Sequence, residues 1–530
     1  MNMQSFNEPV LIITFNRPDK LKILINRLRI VRPTKIFCAI DGPRSKNSSD
    51  NEKILLIKNL LKNIDWKCNL EINQQSKNLG CRFGPISAIT WFFSKVDRGI
   101  ILEDDCIPEP SFFDYCEFSL KHFEKKKNVW HINGNNFGAK SDLYKADIEF
   151  VNLAQAWGWA TWADRWKQYK HNVFGLLFDL HHTKVLQNRL GQIGRLNKLK
   201  HLYDVKFGLD AWDYVWQATI LINEGLCVSP CKNLISNIGD GDDATHTKSH
   251  YNSSIALNLK TSPMISSKEF KIAPEFTNKQ INDEYKKNMS LNSIRGAIKS
   301  LYLYFHEIIN QAFRNVLCFF TFGYKDRIIV ASTNCGVNEI LSKCISDAAI
   351  KKISSKNIFV RFLQKFLIND NVDRISLVSR CSSLVNSTYS LPAATNIKVK
   401  KIFVLGDPVD SINSIVKIHD KYGPIWLEKH LFHLESSKIP LLDFNNDILD
   451  YEKQVRSWLN DKSALIVHYD DLLKYIGFIS NFLDLKLKLP LKKEKKSEKS
   501  SYKDNITYKR LLEIEKMVIE SKRYKSQFNK

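Results

Sequence analysis

Short apolar runs alternate with helix-spaced apolar positions along the first part of the chain. Pro9–Thr14 (PVLIIT) is a continuous apolar run, the pattern of a strand buried on both faces of a parallel sheet. Arg17-Pro18-Asp19 then opens a helix, because proline suits a first helical turn and Leu21, Leu24, Ile25 and Leu28 recur at helical spacing. Lys35–Ile40 (KIFCAI) reads as a second strand, stopped by Asp41-Gly42-Pro43. Helix Glu52–Leu61, strand Asn69–Asn73, helix Pro85–Phe93 and strand Arg98–Leu102 follow. This alternation predicts an α/β sandwich around a largely parallel sheet. Ligands of such sheets sit outside the carboxyl ends of the strands. Asn16, Asp41 and the run Glu103-Asp104-Asp105 all occupy those ends.

The pattern weakens after Pro274. Residues 275–300 are polar and rich in Lys and Asn, so a linker is expected there. Leu301–Phe322 carries a stripe of Ile, Leu and aromatic residues that suits a helix packed on a core, and also a helix lying on a membrane surface. A new alternation begins at Arg327, with strand Arg327–Ala331, helix Asn338–Ile345, strand Lys401–Leu405, a helix through Ile412–His419 and strand Ala464–Val467. It predicts a second α/β domain. Beyond Leu489 a run rich in Lys reads as a solvated tail. The expected organisation is a first domain over 1–274, a linker and amphipathic helix over 275–322, a second domain over 323–490 and a basic tail over 491–530.

Charge narrows the partners. The chain has 79 Lys and Arg against 56 Asp and Glu, a net +23. That balance favours nucleotides, nucleic acid or an anionic membrane face. A Lys-rich gene composition, matched by the many Ile and Asn residues, produces the same excess. No helix-turn-helix, RNA-recognition or zinc-finger pattern is present, so nucleic acid is not an expected partner. The 11 cysteines are scattered without a Cys-x-x-Cys pair, which suits a reducing compartment. The N-terminus lacks a basic segment followed by an apolar one, and no apolar run reaches about 18 residues, so neither a signal peptide nor a membrane span is expected. The expectation is a cytoplasmic protein with room for peripheral contact at the inner face of the cell membrane.

Three adjacent carboxylates repel one another, so Glu103, Asp104 and Asp105 call for solvent or a cation. Hard oxygen ligands suit Mg²⁺ or Mn²⁺, which share their coordination with substrate phosphates. A solvated turn satisfies an isolated Asp-Asp pair equally well. Asp41 is placed to accept hydrogen bonds from a base or ribose. Arg82, in NLGCRFGPISA, precedes a helix and is placed to meet phosphate, with Gly80 and Gly84 allowing close backbone approach. The segment Trp157–Trp162 (WGWATW) suits a packed core, and also a flat wall against a sugar ring.

PVLIITFNRPDKL, AIDGPR, NLGCRFGPISAI, GIILEDDCIPEPSFFDYC, WGWATWADRW, AWDYVWQ and NLISNIGDGDDATHT occur in this order over residues 9–247. Together they resemble bacterial nucleotide-sugar glycosyltransferases of the metal-dependent GT-A type. The acidic motif is similar to the Glu-Asp-Asp of animal N-acetylglucosaminyltransferase I. The resemblance implies that Asp41 contacts uridine, Arg82 assists the nucleotide or its phosphates, Glu103 and Asp104 face the ribose and diphosphate, and Asp105 binds the metal. It implies an inverting transfer with Asp213 as general base, or Asp210 as the second choice. It also puts His246 near the metal or diphosphate, on a Gly-rich loop suited to a closing lid. Read as residues alone, Asp210 suits a helix N-cap, Asp213 an ion pair and His246 a structural role.

RIIVASTNCGVNEILSKCI, KIFVLGDPVDSINSIVKI and ALIVHYDDLLKY resemble, in order, a P-loop sulfotransferase that uses 3′-phosphoadenosine 5′-phosphosulfate (PAPS). That family carries Lys-Ser-Gly-Thr-Thr in the first segment and Arg-Asp-Pro in the second. Here Asn334-Cys335-Gly336-Val337-Asn338 lacks the Lys and both Thr, and Gly406 stands at the Arg position, while Asp407, Pro408 and Ser414 match. A divergent active domain, a degenerate acceptor-binding domain and an unrelated α/β domain remain open. His430 and His433 are candidate bases or structural residues. The expected function is metal-dependent, inverting transfer of a sugar from a nucleotide-sugar, with UDP the favoured nucleotide, to a hydroxyl of a glycan or glycolipid in bacterial surface polysaccharide assembly. The alternatives are a bifunctional glycosyltransferase and sulfotransferase, or a carbohydrate-binding protein with an inactive C-terminal domain.

Overall fold

The computed structural model describes residues 6–45, 47–136, 141–171, 173–181, 183–206, 208–239, 261–264, 269–274, 278–288, 293–305, 327–332, 341, 344–345, 348, 385–388, 399–422, 427, 431, 447, 449–488 and 506–528. The chain divides into two compact units, 1–302 and 303–530.

The first unit opens with β1 (Val10–Thr14), α1 (Pro18–Val31), β2 (Lys35–Ile40), α2 (Ser49–Lys62), β3 (Asn69–Gln74), α3 (Gly80–Phe93) and β4 (Arg98–Glu103). β5 (Cys106–Pro108), α4 (Pro110–His122), β6 (Val129–Asn133), β7 (Ile148–Val151), β8 (Trp159–Trp162) and α5 (Ala163–Trp166) follow. Then come α6 (Val173–His181), α7 (Val185–Lys206), α8 (Asp213–Ile222), β9 (Leu226–Pro230), β10 (Ile235–Asn237) and α9 (Lys279–Asn288). Eight strands form one sheet in the order β3-β2-β1-β4-β8-β6-β9-β7, and β5 pairs with β10 in a separate antiparallel ribbon. β1, β2, β3 and β4 are mutually parallel neighbours, whereas β8 runs antiparallel to both β4 and β6. The fold is therefore mixed α/β, and the sheet is less uniformly parallel than its alternation pattern predicts.

Both faces are covered at β1, β2 and β4, which is why these strands read as continuous apolar runs, while the edge strand β3 stays partly exposed. Val10, Ile12, Ile36 and Cys38 share one core with Leu21, Leu24 and Leu28 of α1 and Ile54 and Ile57 of α2. On the other face Phe37 meets Phe92 and Trp91 of α3 at 5.1 and 5.6 Å. Each such fully buried side chain contributes about 1.5–3 kcal/mol relative to exposure. The chain runs outward through β1, β2 and β3, then returns to the opposite flank of β1 as β4. The strand order thus reverses between β1 and β4, the point where open α/β sheets form a ligand crevice.

The Trp-rich segment is core. Trp159 is 1% exposed and stacks on His131 and Trp212, with ring centroids 4.7 and 5.6 Å apart. Trp162 is also buried and donates to the Leu120 carbonyl, while Trp157 remains half-buried. Gly158 turns between them with φ +57°, and a Cβ there would lie 2.5 Å from Ile235.

Two stretches differ from the expected organisation. The polar stretch 275–300 was expected as linker, yet α9 docks onto the first unit: Ile281 and Tyr285 are fully buried, and the Tyr285 hydroxyl bonds that of Ser229. Two well-placed apolar residues suffice for one short helix, which leaves its average composition polar. The expected tail also carries structure, described next.

The second unit is built on a four-stranded parallel sheet. Its elements are β11 (Arg327–Ser332), β12 (Val385–Thr388), β13 (Val399–Leu405), α10 (Pro408–Tyr422), α11 (Tyr451–Asn460), β14 (Ala464–His468), α12 (Ile476–Leu483), α13 (Ile506–Glu520) and α14 (Lys522–Ser526). The strand order is β12-β11-β13-β14. α13 buries Tyr508, Leu511, Ile514 and Val518 against the same core as Trp458 and Ile466, and Tyr524 of α14 is buried too. The basic tail expected over 491–530 is thus integral to the unit over 506–528. Among the described residues no helix is long and apolar enough to cross a membrane.

Candidate active site

The acidic run leaves β4 at the reversal point, and each of its carboxylates has a different environment. Asp104 has no exposed surface. Its Oδ2 accepts from Thr14 Oγ1 at 2.7 Å, and its Oδ1 lies 2.5 Å from Arg17 Nη2. Asp105 is 7% exposed, and its Oδ2 accepts from Arg17 Nη1 at 2.9 Å. Glu103 is half-buried. Desolvation and the charge of Asp105 push Glu103 well above the usual carboxylate range, with Arg17 opposing. Asp104 is raised as well, by burial, against the pull of Arg17. Burial works against the charge on Arg17, yet Asp104 and Asp105 outweigh it and hold the guanidinium above its ordinary value. Arg17 therefore supplies the counter-charge within the chain. Sequence reading missed it by assigning Arg17 only to a helix start.

The ribbon β5–β10 closes the site on one side. Asn237 Nδ2 approaches Asp105 Oδ1 at 3.4 Å, and the Ile238 N–H donates to the Asp105 carbonyl. The side chain of Asn237 also accepts from the Gly239 N–H at 2.7 Å. On the neighbouring strand ends, Asn16 and Arg44 both bond Asp50, which fixes the loops after β1 and β2.

Asp41 and Asp210 converge on the start of α3. Asp41 accepts from the N–H groups of Gly42, Leu79 and Gly80 and from Asn78 Nδ2. Asp210 accepts from the N–H groups of Cys81 and Arg82, both at 2.7 Å. Between them they satisfy consecutive donors that a helix start otherwise leaves open. Gly80 permits the approach, with φ +80° and Asp210 only 2.6 Å from where its Cβ would stand. The close backbone approach expected around Gly80 is thus made by the protein's own carboxylates. Burial pushes Asp41 up to about 6, partly offset by the Leu79, Gly42 and Gly80 N–H bonds, and Asp210 adds to the rise.

Two residues expected at the nucleotide are buried. Arg82, expected at phosphate, is 1% exposed, with its guanidinium over the Phe83 ring at 5.0 Å. Helix α3 turns that side chain inward, so it does not reach the surface. Asp104, expected to face the diphosphate, is enclosed by Thr14 and Arg17. Asp210 matches its N-cap reading, although the helix it caps is α3 and not the following α8. His246 lies outside the described residues, as do Asn334–Asn338, His430 and His433.

Asp213 opens α8 and is half-buried. Its charge is felt by Glu103 and by Lys198. Lys198 has no exposed surface and donates to Gln217 Oε1. Burial brings Lys198 down to about 7, with Asp213 opposing. Beneath them His131 accepts from Trp216 Nε1 through Nδ1 and donates from Nε2 to the Gln155 carbonyl. Burial holds this imidazole down to about 3, so it is a neutral packing element.

Arg17, Glu103, Asp105 and Asp213 are thus assembled at one edge, with Asp41 and Asp210 holding the adjacent helix. No family model matches the chain, and no curated protein matches it in sequence.

Proposed function

We propose that the first unit is a GT-A-type glycosyltransferase that moves a sugar from a nucleoside diphosphate to a hydroxyl acceptor with inversion. The observation that carries this reading is the coincidence of the β1/β4 reversal with an acidic run and a cation, Arg17, at one strand edge. That edge is where a nucleotide is expected in an open α/β sheet. The ordered resemblance over residues 9–247 supplies the reaction class.

The donor set fits a divalent cation. Glu103 and Asp104 are raised in part by neighbouring carboxylates, a crowding that added positive charge relieves. Among the described residues no three His, Cys, Asp or Glu side chains converge on a metal-sized point. Mg²⁺ and Mn²⁺ need only one or two protein carboxylates when phosphates complete the shell, and Asp105 would be that ligand. When bound, the ion neutralises the charge that develops on a diphosphate leaving group. Arg17 is placed to share that task, since its guanidinium already lies against Asp105. Asp213 takes the proton of the acceptor hydroxyl, a contribution of about 10²–10⁴-fold for a positioned base. Asp210 is a positioning residue that holds the start of α3.

For the second unit we infer a degenerate domain without sulfuryl transfer. Gly406 brings no charge, and its carbonyl accepts from the Tyr451 hydroxyl at 2.6 Å. Ser414 spends its hydroxyl on the Asp410 carbonyl. Calorimetry with 3′-phosphoadenosine 5′-phosphate tests this: sulfuryl transfer requires binding, and micromolar affinity would reverse the inference. The first unit is tested by incubating the full chain with UDP-, GDP- and dTDP-sugars and Mn²⁺. Release of nucleoside diphosphate from one donor is expected, and no release from any donor would sink the assignment.

A further inference from the structure

A helix over 294–305 is packed inside-out where it belongs to the first unit. Its small residues face inward. Ala297 and Ser300 are buried, and a Cβ on Gly296 would lie 2.0 Å from Asn197 Oδ1 on α7. Asn197 Nδ2 also donates to the Ser293 carbonyl at 2.9 Å, which ties the helix start to α7. The large apolar residues face outward. Ile294 is 67% exposed, Ile298 61% and Tyr302 66%, and Leu301 lies beside them at 36%. Their spacing places all four on one stripe. Single exposed apolar residues are ordinary, whereas a continuous stripe marks a contact surface.

We propose that this stripe docks on an anionic lipid bilayer. The charge around it selects that occupant. Arg295 and Lys299 are exposed on the same helix. Asp204, the carboxylate nearest Lys299, is shared with Lys200, at 3.7 and 2.5 Å, so the edge stays net positive. The sequence has no Asp or Glu from 285 to 306. A second copy related by a two-fold axis would bring like charges together along this stripe. Anionic headgroups bring the opposite charge, and Ile, Leu and Tyr suit the acyl boundary beneath them. The proposal is independent of the chemistry assigned to the acidic edge, because its readout needs no donor.

Vesicle flotation of the full chain tests it, using equimolar phosphatidylglycerol and phosphatidylcholine against phosphatidylcholine alone. The wild type is expected to float with the anionic vesicles and to be released by high salt. Ile298→Glu with Tyr302→Glu should weaken partitioning by at least about tenfold, as expected when apolar contact is replaced by charge. Arg295→Glu with Lys299→Glu should do the same. Ile23→Glu, on the exposed face of α1, is the control and should float like the wild type, and circular dichroism verifies that each variant folds. Flotation that survives both double substitutions would overturn the proposal. So would a wild-type dimer in light scattering that Ile298→Glu dissolves without any vesicle binding, because a second copy would then be the occupant.

Discussion

Replacing Asp210 by alanine removes the acceptor for two backbone N–H groups at the start of α3. Hydrogen bonds to a charged acceptor contribute about 1.5–3 kcal/mol each, and losing an N-cap costs typically about 1 and up to about 2 kcal/mol. Asp210 is half-buried, so water recovers part of the loss at the Cys81 N–H, while Arg82 is enclosed. A net cost of about 2–3 kcal/mol follows, equivalent to about 4–12 °C in melting temperature. Intrinsic fluorescence is the appropriate probe, because most of the 11 tryptophans lie in the first unit. Asp210→Ala should melt early yet retain donor turnover at temperatures where it is folded. Asp213→Asn should melt like the wild type and lose about 10²–10⁴-fold in transfer, the contribution of a general base. The reasoning is refuted if Asp210→Ala melts normally and abolishes transfer, since that behaviour belongs to a group acting on substrate.

Arg17→Met should destabilise the first unit by about 2–4 kcal/mol, below the usual cost of an orphaned buried charge because Arg17 keeps a fifth of its side chain in water. The deficit should shrink as pH falls and Asp104 takes up a proton; chemical denaturation at several pH values checks this. Asp41 is raised to about 6 from an unfolded value near 4, so its favourable contribution is full below about pH 4 and lost as pH rises through 6. Wild type should therefore lose up to about 3 kcal/mol relative to Asp41→Asn between pH 4 and 7, and parallel stability curves for the two proteins would contradict the assignment. Gly158→Ala should cost about 2–4 kcal/mol, combining a left-handed backbone with a clash against Ile235, measured by thermal melting.

Local pattern carried much of the fold. Lys35–Ile40 is a strand at its expected limits, and Val10–Thr14, Asn69–Gln74 and Arg98–Glu103 extend or trim their expected runs by a residue. Three of them, Val10–Thr14, Lys35–Ile40 and Arg98–Glu103, are largely buried, so their signal lies in the strand itself, whereas Asn69–Gln74 is a partly exposed edge strand. Helix α3 begins at Gly80, five residues before its expected start at Pro85. Its first five residues include two glycines, and its start is stabilised by Asp41 and Asp210, which are distant in sequence. α13 was legible in principle, because Tyr508, Leu511, Ile514 and Val518 follow helical spacing. The Lys-rich run before it masked that period.

The candidate site was legible as a set of strand-end carboxylates and less so as a set of roles. Adjacent residues in a strand-to-turn segment point in different directions, so Glu103, Asp104 and Asp105 separate into half-buried, enclosed and Arg17-facing groups. The direction of Arg82 depends on how α3 rotates against the sheet, which no local pattern encodes. Arg17 acquires its importance only when β1 and β4 become neighbours.

The central claim is that Asp105 serves a divalent cation and a nucleotide-sugar at the β1/β4 edge. Its most direct test is Mn²⁺-dependent hydrolysis of the accepted donor by the wild type and by Asp105→Ala, with melting curves confirming that both are folded. Saturable activation by Mn²⁺ in the wild type, absent from the folded variant, is the predicted result. Equal Mn²⁺-dependent hydrolysis by both proteins would contradict the claim.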